Sequence, residues 1–79
     1  MARYFFDIHD GTIQFDEDGT ECATLEAARA QAMRLLPDLA REEAPREGDR
    51  QNYTVLVTDE DHRPVYSATL SLVGLWLIR

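Results

Sequence analysis

The sequence predicts an α+β fold, in which one helix packs on one face of a four-stranded antiparallel sheet in the order β-β-α-β-β. Three observations carry that prediction. Apolar residues recur at every second position over residues 3–15, at every third or fourth over 25–36, and at every second again over 53–72. Turn-forming residues separate the alternating runs within each half: Asp10 with Gly11, then 59–64. The whole pattern fits within 79 residues, room for one domain and one core.

The first strand covers 3–10, with Tyr4, Phe6 and Ile8 on one face and Arg3, Phe5, Asp7 and His9 on the other. Asp10 and Gly11 tolerate the backbone of a tight turn, and Ile13 and Phe15 alternate with Thr12 and Gln14 to close a hairpin. Residues 16–21 form an acidic loop. From Thr24 the period lengthens, and Leu25, Ala28, Ala32, Leu35 or Leu36, and Leu39 share one side of a helix. Thr24 suits the N-cap, and Glu26 meets the positive end of the helix dipole. Pro37 lacks an amide donor, so the helix is expected over 25–36 with a looser turn beyond. Residues 41–50, rich in charge, read as a solvated connector. Tyr53, Val55 and Val57 alternate with Thr54, Leu56 and Thr58, and beyond the turn at 59–64 Tyr66, Ala68, Leu70 and Leu72 alternate with Ser67, Thr69 and Ser71, forming a second hairpin. If the helix carries the chain over the first strand, the four strands lie in the order 2-1-3-4.

Composition narrows the function. Fifteen acidic residues against eight arginines give a net charge of −7, which repels a phosphate backbone and disfavours nucleic acid. Cys22 is the only cysteine, so no disulfide can form within the chain, which suits a reducing compartment. No apolar run approaches the ~20 residues that cross a bilayer. Asp7 interrupts the N-terminal apolar stretch too early for a signal peptide. A cytoplasmic protein without membrane contact is expected.

Arg3, Tyr4, Phe5, Phe6 and Asp7, followed by Asp10 and Gly11, form an opening strand and turn that resemble a family of short bacterial proteins described as a domain of unknown function. The resemblance extends through Asp18 with Gly19, the Ala-rich run 25–30, and Asp59, Glu60 and Asp61 ahead of Arg63, Pro64 and Val65. It covers nearly the whole chain and implies the fold, but it carries over no catalytic or binding residue. The family pattern has Gly where this chain has His62; a left-handed backbone is costlier for His.

Candidate chemistry is sparse. Asp16 and Asp18, and Asp59 and Asp61, are the carboxylates that could bind a divalent cation. With Gly19 at position six of a calcium loop, however, Gln14 and Leu25 would occupy positions one and twelve, which need carboxylates. Asp7 and His9 share a strand face and could form an acid–base pair, yet no nucleophile or oxyanion donor accompanies them. Cys22 reads as a small buried hydrophobe. Arg29, Arg34 and Arg41 form the one local basic stretch a dimeric nucleic-acid regulator could use. Tyr4, Phe5 and Phe6 share aromatic character with RNA-binding sheets, but the glycines of that motif are missing and the charge is wrong.

Leu75, Trp76, Leu77 and Ile78 are surplus to a core the helix and four strands already supply. With Phe5, on the face away from the helix, they are the predicted interaction surface, facing a second copy or a partner protein. The sequence thus predicts a non-enzymatic, self-associating module that needs no cofactor. A metal-binding protein or small enzyme using the acidic turns is the alternative, and a dimeric nucleic-acid regulator a further one.

Overall fold

The computed structural model describes residues 2–78, the side chains of 44–47 excepted. Its elements in chain order are β1 (Ala2–His9), β2 (Ile13–Gln14), β3 (Thr20–Cys22), α1 (Leu25–Glu47), β4 (Arg50–Thr58) and β5 (Pro64–Val73). The sheet runs β2-β1-β4-β5, with β3 paired to β1 as well, and the pairs among the described residues are antiparallel. The α+β class and the order of the four expected strands agree with the sequence reading; β3 is additional.

Side-chain alternation explains the core. Register places Phe6 beside Val57 and Ile8 beside Val55, and β5 adds Tyr66 opposite Val57 and Ala68 opposite Val55. Each of these pairs points to one face, and α1 covers it with Ala28, Ala32, Leu36 and Ala40. Three of those four helix residues are alanines, so the helix axis can approach the sheet closely while Tyr53, Val55 and Val57 fill the layer between. Leu36 is the buried leucine, with Leu35 and Leu39 at the margin. Leu25, expected within the stripe, lies 48% exposed. The start of the helix therefore overhangs the core.

The helix departs most from expectation. It begins as predicted: the Thr24 hydroxyl accepts the Ala27 amide at 3.0 Å, and Glu26 stands in the first turn. It then passes through Pro37 to Glu47, and the predicted connector over 41–50 becomes its last turns and the first residue of β4. Pro37 is exposed, on the flank of the stripe that buries Leu36 and Ala40. The carbonyl it leaves without a donor, that of Met33, belongs to an exposed residue, so water can satisfy it. Packing of Leu36, Leu39 and Ala40 on the sheet then outweighs the local penalty.

Candidate functional site

The edge formed by β2 and β3 is broken in the middle. Between them the ladder with β1 lapses, and Asp16 fills the gap: its carboxylate accepts the Phe6 amide at 3.1 Å, the Asp18 amide at 3.2 Å and the Gly19 amide at 3.0 Å. The Asp16 amide in turn donates to the Asp7 carboxylate at 2.9 Å. The segment read as an acidic loop is thus a strand interrupted by a carboxylate-capped bulge. A pattern of alternation cannot reveal it, because residues 16–21 contain no large apolar side chain.

Phe5 does not lie open on the second sheet face as the sequence suggested. It is half-buried, with its ring 6.3 Å from that of His62 and a flank against Gly19. Gly19 has φ +72°, and a Cβ there would come within 2.9 Å of the Phe5 ring. His62 takes φ +62°, the left-handed backbone that favours Gly. The turn tolerates this because its backbone is held from Asp59, whose carboxylate accepts the amides of Asp61 at 2.9 Å and Arg63 at 3.0 Å, while the His62 amide donates to the Asp59 carbonyl. The Arg63 amide, followed by the Asp61 amide and the Arg63 guanidinium at 3.0 Å, holds the Asp59 carboxyl below its ordinary pKa.

The four carboxylates considered for a metal have different roles. Asp16 and Asp59 cap turns and Asp61 pairs with Arg63 at 3.4 Å, while Asp18 contributes its carbonyl to Arg3 at 2.9 Å. Among the described residues no three His, Cys, Asp or Glu side chains converge on a common point that could hold an ion. Asp7 is committed to the Asp16 amide. Cys22 is buried, its thiol 3.9 Å from the Thr20 carbonyl. On the helix, Arg34 donates to Gln31 and Arg41 pairs with Asp38, so two of the three arginines of the basic stretch are tied to their own helix.

The opposite edge is different in kind. Among the described residues β5, ten residues long, pairs only with β4, leaving its outer row of backbone groups without a neighbouring strand. Residues 65–78 carry no charged side chain. The open face at this edge is polar and locked: the Thr54 and Thr69 hydroxyls lie 2.9 Å apart, and Ser71 donates to Asn52 at 2.6 Å. Beyond Val73 the Gly74 amide donates to the Asp49 carbonyl at 2.7 Å, and the chain then leaves the sheet. Leu75, Trp76, Leu77 and Ile78 are 80%, 63%, 84% and 87% exposed, so they cover neither Phe5 nor the second sheet face. The radius of gyration, 14.4 Å against about 12 Å for a compact chain of this length, agrees with a projecting tail. No helix among the described residues is long and apolar enough to cross a membrane.

The signal for this edge is the absence of charge over residues 65–78, which marks an unprotected strand and which alternation alone does not single out. Compared with known proteins, residues 3–71 match a family model described as Domain of unknown function (DUF6894). No curated protein and no solved structure matches the chain. The apolar tail follows the matched region.

Proposed function

The chain belongs to the DUF6894 family, and on that premise we propose that it is a non-enzymatic interaction module whose partner is a second copy, paired antiparallel along β5. The supporting observation is the contrast between its two sheet edges. Natural sheets protect their edges with short strands, bulges, prolines or charge. At one edge β2 and β3 have two and three residues and a bulge between them. β5 has ten residues, a proline only at its first position, and no charge after it.

Charge selects the partner. Two copies at −7 repel one another wherever acidic surfaces meet. β5 and its continuation are the uncharged stretch along which they can touch. A two-fold axis perpendicular to the sheet makes the contact self-complementary and keeps both helices on one face. Residues directly opposite must share a face, so the axis passes at Ala68 or Thr69, with Tyr66 beside Leu70 or Leu72 of the second copy. The lone cysteine, a buried thiol, supports a cytoplasmic setting.

Sedimentation velocity over a dilution series tests the pairing. A dimer at high micromolar concentration should dissociate on dilution, and Thr69→Lys, placing like charges near the axis, should weaken it roughly tenfold or more. A wild-type chain that stays monomeric at every concentration overturns the proposal.

A further inference from the structure

We infer that the cavity between the broken sheet edge and the Asp59 turn binds a guanidinium group, with Phe5 and Phe15 as its aromatic walls and Thr58 in its lining. The site lies on the β1 side of the sheet, away from β5, and does not depend on the pairing proposed above. Its volume is about 330 Å³, at the lower end of the ~300–1,000 Å³ typical of ligand pockets.

Thr58 is the residue that points to a ligand. Register sets it opposite Phe5, on the sheet face away from the helix, where strand residues are ordinarily solvated. It is nonetheless only 8% exposed, and its hydroxyl has no hydrogen-bond partner among the described residues. A polar side chain so buried is costly unless something pairs with it. Thr58 borders the cavity, so a group bound there can supply the partner.

Charge and shape choose that group. Asp7, Asp16 and Glu17 line the cavity and no arginine does. Arg3 is tied to the Asp18 carbonyl and to Glu21, and Arg63 to Asp59 and Asp61. Asp16 accepts backbone amides with both oxygens, and Asp7 accepts one with a single oxygen. Glu17 makes no hydrogen bond or ion pair among the described residues. The cavity therefore favours a cation. Its carboxylates and the His62 ring do not converge on one point, so a bare metal ion is a poor fit. A planar guanidinium instead carries five donors in a rigid fork that reaches separate acceptors, and its face stacks on aromatic rings. The Phe5 ring is held for that contact, flanked by Gly19 and His62. Phe15, 72% exposed, has no place in the core and is available for the same purpose.

Heteronuclear NMR titration of the full chain with N-acetyl-arginine amide and with agmatine tests the site. The inference expects saturable shifts centred on the amides of residues 5–7, 15–17, 58 and 62. Binding should weaken roughly twofold or more in Phe15→Ala and in Glu17→Gln, both at exposed positions that the fold does not need. Thr58→Val separates a ligand contact from a structural one. Removing an unpaired hydroxyl should leave the melting temperature equal or higher, and binding should weaken all the same. Whichever probe binds more tightly names the source: agmatine a free guanidino compound, the capped arginine a side chain of a partner protein. Equal affinity for N-acetyl-lysine amide overturns the guanidinium assignment. Absence of saturable shifts at millimolar probe, shifts spread over acidic residues throughout the chain, or affinity unchanged in Phe15→Ala overturns the site, whether or not β5 pairs.

Discussion

The Asp16 carboxylate accepts the backbone amide of Phe6 at 3.1 Å, standing in for a strand partner where the edge of the sheet is interrupted. The same side chain holds the amides of Asp18 and Gly19, so one residue closes the bulge between β2 and β3. Asp16→Ala leaves those three amides without their acceptor and should destabilise the fold by about 1–3 kcal/mol in urea denaturation. Asp16→Asn keeps one carbonyl oxygen for the turn but presents an NH2 group to one side, and should fall between the two. Equal stability of all three proteins would mean that water replaces the carboxylate at no cost.

Two glycines separate conformational from steric cost. Gly11 has φ +103° with nothing within 4 Å of a built Cβ, whereas a Cβ on Gly19 meets Arg3 Cγ at 2.8 Å and the Tyr4 carbonyl at 3.0 Å. Gly11→Ala should cost about 1–2 kcal/mol from its backbone alone. Gly19→Ala should cost a further ~1–3 kcal/mol, because Phe5 and its neighbours must shift. Thermal melts of the two variants side by side measure the difference, and identical losses would contradict the crowding at Gly19.

The turn at Asp59 should give stability an acid limb. Its carboxyl is held below the ordinary value by the Arg63 and Asp61 amides and the Arg63 guanidinium. A depressed folded-state pKa contributes stability that is fully present above the unfolded value of about 3.9 and is lost as pH falls through the folded value. Urea midpoints measured from pH 6 to pH 2.5 should therefore fall below about pH 4, and Asp59→Asn should flatten that limb. An unchanged slope in the variant would assign the acid limb to other carboxylates.

Pro37 offers a gain. Because it is exposed within a continuous helix, Pro37→Ala restores a donor to the Met33 carbonyl and removes the ring from its path. Stabilisation of up to about 3 kcal/mol is expected, read as a higher melting temperature. A destabilised variant would show that the helix depends on the bend proline imposes.

Much of the fold was legible because its causes are local. Tyr53, Val55 and Val57 alternate along a strand whatever else the chain does, and Thr24 can cap a helix three residues ahead of Ala27 without help from afar. Thr20, Glu21 and Cys22 were illegible as a strand for the complementary reason: they pair because β1 offers them an edge, not because they carry a pattern. The site divided along the same line. The apolar tail was visible as surplus, while Phe5 looked equally exposed until Gly19 and His62 were seen against it.

By itself the sequence determined the two hairpins, the helix start, the single core and the uncharged stretch of residues 65–78, since periodicity, capping and charge act over a few residues. Only the tertiary structure decided that the helix continues past Pro37, that Asp16 bridges a broken edge, and that residues 75–78 leave the sheet after Gly74 instead of covering Phe5. Each depends on free energy from contacts between distant segments: packing of Leu36 and Ala40 on the sheet, an amide supplied by Phe6, and a strand end held at Asp49.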